Sequence, residues 1–257
     1  MTPEITTADQ AGSPPVTVTK TERPLSQDAI VKRGRPDSWL TWAGIAVVLG
    51  AVAWFLYYKL PSFRGLDESR VGIILDKGFS LHYPVLVAHV ASGTIALVTL
   101  CVQIVPWVRR HHPKVHRLSG RLYVFAGVLP SALLALVLNM HTAFFGGNIG
   151  IALMSVLWLG TTAMGYLNAR RRRWAQHRRW MTYSFAIALG FVWGSIAGAL
   201  WLEASEGGMK PVFDVNYLFE FVRWGGWIIN LIIAQWWLER TGWKPAPKAE
   251  RRSAAVS

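Results

Sequence analysis

Histidine is the side chain in this sequence best equipped to ligate a metal or pass a proton, and its positions form a pattern. His82 and His89 are followed by Gln103 and Arg110 at intervals of seven, fourteen and seven residues. On a helix that spacing keeps all four on one stripe, with Ala96 at the intervening heptad position. Ser92 and Gly93 lie on the same side as His89, and small residues at 93 and 96 leave room for a cofactor or a neighbouring backbone. His89 sits just inside one end of an apolar block and His141 closes the same end of the next, whereas His116 and His177 precede two blocks on the opposite side. Imidazoles paired towards each membrane face are what a helical bundle needs to hold two stacked b-type haems by their axial positions. The pattern nominates His89, His141, His116 and His177 as haem ligands, haem b as cofactor and transmembrane electron transfer as the chemistry. The stripe also fits a transporter or small-molecule receptor, as the lining of a cavity. It fits a non-catalytic structural or regulatory protein too, as a seam whose bonds are worth about 1 kcal/mol or less each.

Other chemistries find little support. Cys101, the single cysteine, lies within an apolar block, which excludes a disulfide framework and a cysteine metal cluster. His112 and His116 have a metal-compatible i, i+4 spacing but stand among cations without an acidic or thiol partner. The sequence has no Gly-Lys-Ser/Thr phosphate loop, Gly-x-Ser-x-Gly elbow or His-Glu-x-x-His pair. Glu203, Glu220 and Glu239 only flank apolar blocks, so a carboxylate relay through a membrane is not expected.

The elements that must position these residues follow from composition. Of 257 residues, 52% are hydrophobic and 16% charged, against about a quarter charged in ordinary soluble domains. The apolar residues collect in blocks long enough to cross a bilayer as helices. Six spans are expected, at about 39–58, 83–108, 122–140, 149–168, 180–202 and 221–238, with Pro130 kinking the third and charged Glu220 and Arg223 at the edge of the sixth. The expected fold is an all-α polytopic bundle over 39–240. A disordered tail at 1–38 precedes it and a second tail at 241–257 follows. Of the 27 Lys and Arg, 21 fall in the tails and in the loops after the second and fourth spans, which puts those segments and both termini in the cytoplasm. The formal charge of +13 thus records orientation and gives no reason to expect nucleic acid. Arg170, Arg171, Arg172 and Arg173, with Arg178 and Arg179, form a cytoplasmic patch suited to anionic lipid headgroups. Nothing in the pattern sets an oligomeric state.

From His89 to about Ser184 the sequence resembles the bacterial predicted membrane proteins grouped as domain of unknown function 2306. The matching stretches are His89-x3-Gly93, then Gln103, then His116-Arg117-x2-Gly120-Arg121-x-Tyr123, and His177-Arg178-Arg179-Trp180-Met181-x-Tyr183-Ser184. The resemblance implies a multi-pass protein of a bacterial inner membrane. It adds Arg117, Gly120, Arg121, Tyr123, Arg178 and Trp180 to the histidines as motif residues. A looser likeness is to cytochrome b561-type bundles, six-helix reductases with histidines on four central helices. Here the fourth span has no histidine, so the pairing would join His89 to His141 and His116 to His177.

Overall fold

The structure, a computed structural model, describes residues 39–70, 75–142, 147–208 and 215–240. The tails expected at 1–38 and 241–257 lie outside the described residues. Within them the chain is helical and no strand occurs. The path runs through α1 (Trp39–Lys59), two short 3-10 turns (Leu60–Leu66 and Glu68–Arg70), α2 (His82–Ile104), α3 (Pro106–His111) and α4 (Pro113–Leu122). It continues by a π-helical stretch (Tyr123–Val128) into α5 (Leu129–Met140), α6 (Asn148–Arg170), α7 (Trp174–Glu206) and α8 (Val215–Arg240). Six helical segments are long and apolar enough to cross a membrane, α4, the π stretch and α5 counting as one.

Prolines set the boundaries that hydropathy misplaces. Val105 is extended ahead of Pro106 and so ends α2; His112, also non-helical, precedes Pro113, where the third span begins. The stripe expected from His82 to Arg110 therefore stops at Gln103, and Arg110 lies exposed on the separate helix α3. The third span starts about nine residues earlier than its apolar run, because α4 is amphipathic: Ser119 is buried while Arg117 and Arg121 face outward. The irregularity expected at Pro130 lies in the turn before it. Proline has no N–H to offer the preceding turn, and the wider π register absorbs the mismatch.

Five spans close a ring: α1 on α2, α2 on the α4–α5 span, α5 on α6, α6 on α7, and α7 on α1, with α8 packed along α7. Without a hydrophobic force between helices in lipid, close approach of small residues takes over. At Gly127 a Cβ would stand 2.8 Å from the Ala96 Cα, so the π stretch lies directly on the α2 backbone. Gly190 meets Trp227 of α8 in the same way, a Cβ there standing 2.6 Å from its backbone nitrogen. One core cluster gathers Ala96, Leu100, Tyr123, Val128, Met181 and Ala188; a second joins Phe55, Leu97 and Val192 under α1.

Candidate functional site

At the arginine-rich end of the bundle, the last turn of α2 grips the first turns of α4. Gln103 Nε2 donates to the His116 carbonyl at 2.6 Å and to Ser119 Oγ at 2.7 Å. Gly120 makes room for the amide, since a Cβ there would stand 3.3 Å from Gln103 Nε2. This clamp fixes His116 against the bundle, where its Nδ1 is buried without a hydrogen-bond partner. Such an orphan costs about 1–3 kcal/mol. Across the helices, His177 Nδ1 pairs with the Gly165 carbonyl at 2.8 Å. A carbonyl only accepts, so the His177 proton sits on Nδ1 and Nε2 keeps its lone pair. His177 lies close enough to His116 for the two rings to interact electrostatically, and Arg109 is within reach of both His116 and Arg178.

The α7 motif is laid out by helical period. His177, Met181 and Ser184 share one face: Met181 fills the space that Gly165 leaves open, its Sδ 2.5 Å from where a Cβ would be. Ser184 enters a buried network in which its Oγ shares hydrogen bonds with the Tyr123 hydroxyl (2.7 Å) and Thr162 Oγ1 (2.6 Å), while Trp158 Nε1 donates to Tyr123 at 3.2 Å. Tyr123 and Ser184 are both 0% exposed, and every partner in this network is satisfied by another helix. The opposite face looks to α8. Arg178 stacks 5.1 Å over the Trp237 ring, Arg179 Nε donates to Tyr183 at 3.0 Å, and Tyr183 donates to Gln235. Trp180 packs edge-on to Tyr183 at 6.0 Å.

Towards the other end, His89 Nδ1 pairs with the Ser131 carbonyl at 2.9 Å, so it too holds its proton on Nδ1. His141 meets neither His89 nor any other imidazole by that route. It donates from Nδ1 to Asp76 Oδ2 at 3.0 Å and stacks on Phe79 at 4.1 Å, and the imidazole beside it is His82, at 6.5 Å between ring centres. His82 is 4% exposed and takes the Asp76 backbone N–H on Nδ1 at 2.8 Å. Asp76 also accepts from the Gly78 N–H at 2.8 Å. That amide, then the bond from His141 and the neighbouring imidazoles, hold the Asp76 carboxyl below the usual carboxylate range. Whatever its charge contributes to docking this segment is present at neutral pH and lost only as pH falls through that lowered value.

The structure thus puts His116 and His177 at the same end of the bundle, within electrostatic range of each other, but sets His141 beside His82, not His89. Among the described residues no three His, Cys, Asp or Glu side chains gather as a metal cluster. Asp76, Thr162 and Gly165 were not singled out by the sequence. Asp76-Lys77-Gly78 is a recognisable turn, yet nothing local announces a partner 65 residues away.

Comparison with known proteins is consistent with this architecture. A family model described as predicted membrane protein (DUF2306) matches residues 86–238, which takes in every histidine of the bundle except His82. No curated protein and no solved structure matches, so the likeness to cytochrome b561 gains nothing from them.

Proposed function

We propose that this chain, which belongs to the DUF2306 family of predicted membrane proteins, holds a b-type haem between His116 and His177 and serves as a membrane electron carrier. The observation that supports this reading most is the buried, unpartnered ring nitrogen of His116, in electrostatic range of an imidazole whose Nδ1 proton is fixed by Gly165. Ligating histidines characteristically donate their second nitrogen to a carbonyl or carboxylate, which orients the ring and raises its basicity. The same bonds would tie helices together in a purely structural protein, but that role leaves His116 without an explanation. When bound, the haem supplies one-electron chemistry at a potential set by its ligands and surroundings. The chain's own contribution is positional. Gln103 holds the α4 turn that bears His116, Gly165 and Met181 seat His177, and the Tyr123–Ser184–Thr162 network locks the π stretch that follows α4 to α6 and α7.

His141 is left out of the ligand pair because its neighbour His82 uses the Nδ1 lone pair to accept an N–H and so carries its proton on Nε2. His89 holds its Nδ1 proton on a carbonyl as His177 does, but it is left out because the histidine expected opposite it, His141, stands beside His82 instead. The reading also places the arginine-rich end in the cytoplasm of a bacterial cell, with both termini there and the chain in the inner membrane, on the strength of the Lys and Arg distribution. Arg170, Arg171, Arg172 and Arg173 would then lie against anionic lipid headgroups.

The test is a dithionite-reduced minus oxidised visible spectrum of protein purified in mild detergent from cells supplied with haem precursor. Sharp b-type bands at about one haem per chain are expected for a single bis-imidazole site. A featureless spectrum from well-folded protein would retire the reading.

A further inference from the structure

We propose that residues 75–82 form a proton-operated cap on the end of the bundle opposite the arginine clusters, with His82 as its trigger. The cap is a short segment folded back on the tips of α2 and α5. Asp76 is its anchor and makes four bonds: Oδ1 accepts from the Gly78 N–H, Oδ2 accepts from His141 Nδ1, its carbonyl accepts from the Phe79 N–H, and its own N–H donates to His82 Nδ1. Phe79 closes the segment by stacking on His141. Beside it lies a shallow, largely open depression of about 240 Å³ lined by Leu75, Asp76, Met140, His141 and Thr142.

The two histidines serve Asp76 in opposite senses. His141 is a donor, and it remains one whether or not its ring gains a second proton. His82 is an acceptor, and it remains one only while Nδ1 keeps a lone pair. A proton arriving there sets N–H against N–H, and a bond inside a nearly buried contact becomes a repulsion. Among the described residues, the titratable groups facing His82 are the Asp76 carboxylate from the cap and His141 from the end of α5, with Tyr83 next on its own helix and Asp67 and Glu68 in electrostatic range of that tyrosine. Each Asp76 oxygen already accepts one hydrogen bond, and a protonated His82 can reach the remaining lone pairs only by swinging off the Asp76 N–H, which breaks the same contact. Acidification at this face therefore detaches the Asp76 turn from α2 and widens the depression beside it. The cap does not depend on the haem reading, and its readout involves no cofactor.

Hydrogen exchange of the full-length protein in lipid nanodiscs, expressed relative to the intrinsic chemical rate at each pH, tests this directly. Protection of the peptide covering 75–81 should fall about tenfold as pH is lowered across the window in which histidine side chains take up protons. His82→Asn should keep the protection and lose its pH dependence, because the asparagine carbonyl can accept the same N–H and cannot be protonated over that range. His82→Ala should leave the peptide unprotected at every pH. A wild-type transition retained in His82→Asn, unchanged protection in His82→Ala, or a wild-type cap that stays protected in acid would each overturn the proposal.

Discussion

Alanine at His177 is expected to cut the b-type absorbance of the purified protein by at least about tenfold, and alanine at His116 to do the same, whereas His141→Ala keeps the bands. The difference follows from how the rings are held. A haem b is retained without covalent bonds, so removing one of two axial imidazoles removes both affinity and the low-spin spectrum. Loss of the His177 hydrogen bond to Gly165 would by itself cost only about 1 kcal/mol inside a membrane, too little to unfold the bundle. Free imidazole added to His177→Ala should restore a low-spin spectrum, since it can fill the space the ring vacates; a merely structural histidine would not be rescued in this way. Bands that survive in both His116→Ala and His177→Ala would remove this pair as ligands.

Gly127→Leu is expected to be among the most disruptive single changes in the bundle. The atoms that meet a Cβ at 127 are the Ala96 Cα, Cβ and N at 2.8, 2.9 and 3.0 Å, and backbone cannot step aside as a flexible side chain can. The larger residue must force α2 away from the π stretch, opening the core cluster around Ala96, Leu100 and Tyr123. Overpacking of this kind costs about 3 kcal/mol or more where the neighbours are rigid. The monodisperse fraction in size-exclusion chromatography should largely disappear. Gly44→Leu, at a helix position with open space around it, should elute like wild type. Equal behaviour of the two variants would show that the α2 contact at Gly127 is not what holds these spans together.

Much of the architecture is legible in the sequence because the bilayer is a strict filter. A block of about twenty apolar residues has few alternatives to a spanning helix, and six such blocks yield the six spanning segments found among the described residues. What hydropathy does not carry is where the helices begin. α4 is hidden because Arg117 and Arg121 lower the local average although they occupy only its outward face. Heptad spacing runs on past Val105 in the sequence, but the chain does not, because the residue before Pro106 is extended.

The candidate site divides the same way. The stripe and the motifs mark His89, Gln103, His116 and His177, since residue type and spacing are local properties. Their partners are not local. Gln103 reaches the His116 carbonyl, and no pattern of side chains advertises a backbone acceptor. Tyr123 and Ser184 are 61 residues apart, and His141 and Asp76 are 65. Counting depth along each span places His89 and His141 towards one face but does not resolve the two helical turns between His89 and His82. Those two turns decide which histidine stands beside His141.

The most direct measurement is an electron paramagnetic resonance spectrum of the oxidised, haem-loaded wild-type protein at low temperature. Two imidazoles on one iron should give a low-spin ferric signal, lost in His116→Ala and His177→Ala alike. A high-spin signal from wild type, or a low-spin signal indifferent to both substitutions, would contradict a haem held between α4 and α7.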